Sequence, residues 1–176
     1  MPIHWQAWYY TAKRYGFVFT EERFYALGGV PARHIVAMLA REQGLSLDAH
    51  QIADEKEGEY VKRLEHVLPI EEVVSVAREH KGKLPMAVAS GGTKPIIEMV
   101  VTRLGIRDCF QALVTSEDVV LQKPAPDIFL EAARRIGVPP EFCRGYEDTD
   151  LGMQAIRAAG MEAVDVRDLR RQFPGS

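Results

Sequence analysis

From Pro69 onward the chain alternates short apolar runs with helical segments that stop at a glycine, and few folds accept that order. Pro85-Met86-Ala87-Val88-Ala89 reads as a buried strand ending at Ser90-Gly91-Gly92. Ile96 to Leu104 reads as a helix closed by Gly105, and Ala112 to Thr115 as a second strand. Asp127 to Ile136 is a helix closed by Gly137, Phe142 to Tyr146 a third strand, Gly152 to Ala159 a helix closed by Gly160, and Glu162 to Val166 a last strand. Strands alternating with helices predict an α/β fold with a parallel sheet covered on both faces. Ligands of such sheets bind beyond the carboxyl ends of the strands. The tail, Gln172 to Ser176, is expected to fray.

Residues 1–66 have a different texture and predict helices only. Trp5, Trp8, Tyr9 and Ala12 recur at helical spacing as an aromatic stripe, and Gly16 ends that helix. Thr20 can cap a second helix. Leu27 to Pro31 is a turn, Ile35 to Leu39 carry a third helix stopped by Gly44, and Leu47-Asp48 opens a fourth that runs to about Leu68. The densest charge run, Asp54-Glu55-Lys56-Glu57, has mixed signs and reads as a solvated helix face. The chain is therefore expected to divide into residues 1–66 and 67–176.

The net charge of −3 argues against a nucleic-acid binder. No basic stretch precedes an apolar run at the N-terminus, and no run approaches the ~18 apolar residues of a membrane helix. A cytoplasmic monomer without a membrane or nucleic-acid partner is expected. Cys109 and Cys143 lack metal-ligand spacing and read as ordinary thiols in a reducing compartment.

Three clusters fall just past predicted strand ends. Ser90-Gly91-Gly92-Thr93-Lys94 joins a hydroxyl, two glycines and a helix start, which suits an oxyanion. Taken alone, a glycine turn capped by Thr93 fits it better. Lys123-Pro124-Ala125-Pro126-Asp127 holds an ammonium on a proline-stiffened backbone, where a phosphate or carboxylate could meet it. It also reads as a surface lysine before an Asp127 cap. Glu147-Asp148-Thr149-Asp150 places adjacent carboxylates at a strand end, where they repel unless a cation lies between them. Mg²⁺ favours such oxygens. Capping by Thr149 or Asp150 is compatible with this.

In that order and spacing, the clusters resemble the second, third and fourth motifs of the haloacid dehalogenase superfamily. Lys123 to Ala133, Gly137-Val138, Glu147-Asp148 and Gln154 to Met161 look closest to its β-phosphoglucomutase and sugar-phosphate phosphatase branch. Pro2 to Trp8 looks like the opening of that branch's helical cap. The resemblance implies a Rossmann-like core at 67–176 beneath a helical cap at 1–66, and Mg²⁺-dependent attack by an aspartate on a small phosphorylated metabolite. It implies phosphate binding by Ser90, Gly91, Gly92 and Lys123, catalytic parts for Ser90 and Lys123, and Mg²⁺ ligation by Glu147 and Asp148. Lys62, Arg33 and His4 become candidates for substrate contact from the cap.

The family's first motif, a strand followed by Asp-x-Asp-Gly-Thr, occurs nowhere in the 176 residues. With it the nucleophile, the acid–base aspartate and the central strand of the core are expected to be missing. The resemblance therefore implies either an enzyme whose nucleophile lies outside this chain, or an inactive protein that keeps the phosphate and Mg²⁺ site for binding or regulation.

Overall fold

A computed structural model describes residues 1–172. Only Gln172 of the tail expected to fray lies within them; the remainder is outside the described residues. The chain forms two compact units, Met1–Val67 and a second beginning at Leu68.

The first unit contains α1 (Pro2–Tyr15), α2 (Glu21–Ala26), α3 (Ala32–Gln43), α4 (Ala49–Val61) and a short 3₁₀ turn, Leu64–His66. Its boundaries follow local chemistry. Gly16 and Gly44 adopt the left-handed conformation that ends α1 and α3, with φ of 72° and 64°. The Thr20 hydroxyl accepts from Arg23 N–H, and the Asp48 carboxylate accepts from His50 and Gln51 N–H. The core is aromatic and aliphatic: Trp8, Phe17, Phe19, Phe24, Ile35, Val36, Leu39 and Ile52 are buried together. Each contributes about 1.5–3 kcal/mol by leaving water. Trp8 and Phe19 meet edge to face at 5.2 Å.

Three expectations change here. Helix α4 stops at Val61 rather than near Leu68. Leu68 is 81% exposed, so it offers no burial to hold further turns. Tyr9 leaves the aromatic stripe and is 60% exposed, while Trp8 and Ala12 go inward. Lys56 belongs to the supposedly solvated charge run, yet it is buried. Its ammonium lies 3.0 Å from His4 Nδ1 and above the rings of Trp8 and Tyr60, at 5.6 and 5.7 Å from their centroids. His4 stacks on Tyr60 at 3.9 Å. Helical spacing put this one lysine of the run on the inner face.

The second unit follows the alternating pattern. It runs α5 (Glu71–His80), β1 (Ala87–Ala89), α6 (Lys94–Arg103), β2 (Ala112–Val114), α7 (Asp127–Ile136), β3 (Arg144–Glu147), α8 (Asp150–Ala158), β4 (Glu162–Asp165) and α9 (Val166–Gln172). Phe142 is not in the third strand. It sits 78% exposed in a 3₁₀ turn after Pro139 and Pro140. Val166 is not in the last strand but opens α9 and is buried.

The strands form two parallel pairs rather than one sheet. β1 pairs with β2, Val88 opposite Leu113, and β3 pairs with β4, Tyr146 opposite Val164. Among the described residues, no ladder joins β1 to β3. Each pair therefore keeps an outer row of backbone groups without a strand partner. The residues of β1 are only half-buried, although parallel strands are ordinarily covered. Helices still cover both faces. Ala87 and Ala89 pack toward Ile128, Phe129 and Ala132 of α7 and Ala155 and Ile156 of α8. Met86 and Val88 pack toward Val74 and Ala77 of α5 and Val101 of α6. The two-residue repeat of β1 thus feeds two separate cores.

Lys56 gives this fold a testable pH dependence. Burial, the main cause, lowers its pKa from 10.5 to about 8. The unfolded chain then binds the proton more tightly than the folded one between those values. The penalty, about 3 kcal/mol, is complete below pH 8 and fades as pH rises toward 10.5. Lys56→Met is expected to stabilise the chain at pH 7, with a gain that narrows by pH 10. Denaturant unfolding at both pH values reads this, and a gain that does not narrow overturns it.

Candidate active site

Two strand ends and one loop supply the site: Lys123 lies not at the end of β2, which stops at Val114, but in the long loop from there to α7. At the end of β1, Ser90 N–H still donates to Val114 O at 2.9 Å. The chain then turns through Gly91 and Gly92 into α6. Gly92 N–H donates to Ser90 Oγ at 3.2 Å. A Cβ on Gly92 would lie 3.0 Å from the Ile97 side chain, so the turn is packed tightly against the helix it feeds. Thr93 occupies the N-cap position without a side-chain capping bond. Instead the Glu117 carboxylate accepts from Lys94 N–H at 2.8 Å.

At the end of β3 lies Glu147. Its Oε2 accepts from Lys123 Nζ at 2.6 Å, and its Oε1 accepts from Asp148 N–H, Thr149 N–H and Thr149 Oγ1 at 2.9–3.0 Å. The side chains of Lys123 and Glu147 are 5% and 9% exposed, so the pair is nearly shut off from water. Lys123 also lies over the Phe129 ring, 4.9 Å from its centroid. The Lys123–Pro124 peptide is cis. Asp127 is not a cap: Pro126 holds that position ahead of α7.

Burial pushes the Glu147 carboxyl up, but the Lys123 charge and the surrounding donors outweigh it and hold the group below the usual range. Asp148 behaves oppositely. Burial and the neighbouring Glu147 charge push its carboxyl above the usual range. An anion held up in this way gains from a nearby cation.

The structure thus brings Lys123, Glu147 and Asp148 together and sets Ser90-Gly91-Gly92 at the end of β1. It places His4 beside Lys56 and Tyr60 within the helical unit. Burial lowers the His4 pKa well below the usual value, helped by the Lys56 charge, so the ring is a neutral acceptor. Lys62 is exposed and pairs with Glu59 at 2.6 Å, and Arg33 is exposed. Among the described residues, no group of three His, Cys, Asp or Glu side chains forms a ready-made metal cage.

Two contributors were not foreseen. Thr149 does more than cap: its hydroxyl accepts from Gly152 N–H at 3.1 Å while donating to Glu147. Gly152 allows the whole arrangement, because a Cβ there would sit 2.1 Å from the Glu147 carboxyl. The available signal was a glycine in the first turn of a helix, where it weakens the helix unless a close approach requires it.

Comparison with known proteins agrees with this fold. The profile of the family described as haloacid dehalogenase-like hydrolase matches residues 2–160. Fructose-1-phosphate phosphatase YqaB of Escherichia coli (strain K12) is 40% identical over 167 residues, covering 94% of this chain and 88% of that protein. β-Phosphoglucomutase of Bacillus subtilis (strain 168) is 45% identical over 67 residues, 38% of this chain and 30% of its own. The crystal structure of β-phosphoglucomutase from Clostridium difficile superposes with a TM-score of 0.80 at 26% identity, covering 93% of this chain and 76% of that one. Matched along most of its length, the chain belongs to the haloacid dehalogenase-like hydrolase family.

Proposed function

We propose that the chain forms most of a Mg²⁺-dependent phosphohydrolase for a small phosphorylated sugar, either a phosphatase or a mutase of the β-phosphoglucomutase type. The observation that carries this reading is the buried Lys123–Glu147 pair, which fixes an ammonium against the carboxylate that precedes Asp148 at the end of a parallel strand. The 40% identity to a fructose-1-phosphate phosphatase supports the sugar-phosphate class.

Each group has a distinct part. Because Ser90 Oγ accepts from Gly92 N–H, its own hydrogen is available to a phosphoryl oxygen. The Gly91-Gly92 turn adds backbone polarity of the right sign. Lys123 spends one hydrogen on Glu147 and has others for the phosphoryl group and its attacking carboxylate. Glu147 is saturated with donors, so it orients Lys123 and the turn, and Asp148 is the carboxylate left to hold Mg²⁺. The raised Asp148 pKa fits that ion. When bound, Mg²⁺ neutralises charge on the transferring phosphoryl group. The helical unit would serve as cap, with Lys62, Arg33 and His4 as its candidates for substrate contact.

The attacking aspartate and its acid–base partner would come from a strand outside these 176 residues, set between β1 and β3 where both edges are open. A second reading rests on the absence of Asp-x-Asp-Gly-Thr from the chain. It takes the protein as a phosphate- and Mg²⁺-binding regulator without turnover.

Hydrolysis of hexose phosphates, with Mg²⁺ or EDTA, separates the readings. A chain extended at its N-terminus by an apolar strand and Asp-x-Asp-Gly-Thr is expected to turn over with Mg²⁺ only. Lys123→Met in that chain is expected to lower kcat by about 10²-fold or more. An inactive extended chain overturns the enzyme reading, whereas Mg²⁺-dependent hydrolysis of p-nitrophenyl phosphate by the 176-residue chain overturns the regulator.

Gly152→Ala tests the support of the ion pair. The added methyl meets the Glu147 carboxyl, so a loss of about 2 kcal/mol or more in unfolding free energy is expected. An unchanged midpoint in denaturant would show that Glu147 is not held as described.

A further inference from the structure

The turn Thr115-Ser116-Glu117-Asp118 lies outside the three motifs, yet each of its side chains is tied to the surrounding structure. Thr115 and Ser116 are buried, at 0% and 3% exposure. Buried hydroxyls are costly unless bonded. Thr115 N–H and Oγ1 both donate to Asp118 Oδ2, at 2.8 and 2.9 Å. Asp118 Oδ1 pairs with Arg135 of α7 at 2.6 Å, and Arg135 reaches back to Leu113 O at 3.2 Å. Ser116 gives both its N–H and its hydroxyl to Gly92 O, each at 3.2 Å. Glu117 accepts from Lys94 N–H.

The last tie closes the circuit. Gln122, the residue before Lys123, donates from Nε2 to Ser116 O at 3.0 Å and to Val119 O at 3.1 Å. Gly92 is thus joined to Ser116, Ser116 to Gln122, and Gln122 is covalently next to Lys123. Loops between strands and helices are ordinarily the mobile parts of a fold. This one connects two parts of a site that must keep a fixed separation, to within about half an ångström for good preorganisation.

We propose that Ser116 and Gln122 are positioning residues that hold the Ser90-Gly91-Gly92 turn and the Lys123 ammonium at one separation, so that both meet the same phosphoryl group. This rests on the phosphate-binding reading above. Neither residue touches the phosphate. Asp118 and Arg135 anchor the far end of the loop to α7 and β2, so that a displacement of Ser116 is passed toward Lys123 rather than lost in the loop.

The test uses the 176-residue chain with Ser116→Ala, Ser116→Thr and Gln122→Met. Two quantities are measured: inorganic phosphate affinity by calorimetry with Mg²⁺ present, and the ¹H–¹⁵N resonance of the Lys123 ammonium. Ser116→Ala and Gln122→Met are expected to weaken phosphate binding about 10-fold and to shift or broaden the ammonium signal. Ser116→Thr, which keeps the hydroxyl, is expected to restore both. If the two disruptive variants lower only the melting temperature and leave the ammonium signal unchanged, the proposal is overturned. If the parent chain binds no phosphate, the phosphate-binding reading fails. The ammonium signal then still decides whether Ser116 and Gln122 place Lys123.

Discussion

A lysine and a glutamate removed from water together determine how the second unit is built. Each ion would lose several kcal/mol of hydration on burial, and their mutual attraction repays this only with further hydrogen bonds and close geometry. Glu147 receives those bonds from Lys123, two backbone N–H groups and the Thr149 hydroxyl. Thr149 must then begin α8, Gly152 must lack a side chain, and Lys123 must come over the Phe129 ring. Four elements, β3, α8, the loop after β2 and α7, are thereby fixed relative to one another. Removing one partner would strand the other charge in a dry site, a loss of about 3–5 kcal/mol.

The strands are divided into two pairs about the same residues. β1 brings Ser90 and β3 brings Glu147, and no ladder joins those strands among the described residues. Helices hold the two pairs in place: α7 packs against β1 and β2, and α8 against β3 and β4. On the proposed reading, a further parallel strand would pair with β1 and β3 and cover residues that are now half-buried. Helix packing thus places each strand pair, and the strand ends place Ser90 and Glu147.

Much of this was legible in the sequence. The apolar runs at Ala87 to Ala89 and Ala112 to Val114, and the glycines after α7 and α8, fixed element order because each has a local cause. The order of Ser90, Lys123 and Glu147-Asp148 marked the site because parallel strands place their following residues on one side. What stayed hidden depends on three-dimensional neighbours. Gly152 looks like any glycine until the Glu147 carboxyl is placed 2.1 Å from its missing Cβ. Lys56 looks solvated until Trp8, Tyr60 and His4 close around it. Ser116 and Gln122 belong to no motif, since their partners are mainly backbone carbonyls that any residue would supply.

The two buried lysines show how one residue type is put to different ends. Lys56 faces a neutral imidazole and two rings, which accept its hydrogen and soften the desolvation but offer no negative charge. Its proton is therefore lost near pH 8. Lys123 faces a carboxylate that its own charge helps hold ionised. The Glu147 carboxylate also offsets the Lys123 charge, so the pair brings little net positive charge to a dianionic phosphoryl group. On the proposed phosphate-binding reading, oriented backbone N–H groups and a metal ion held by Asp148 would complete the attraction. On that reading the Ser90 turn, the lysine and the raised carboxylate belong to one site, and the loop from Ser116 to Gln122 would keep the first two in register.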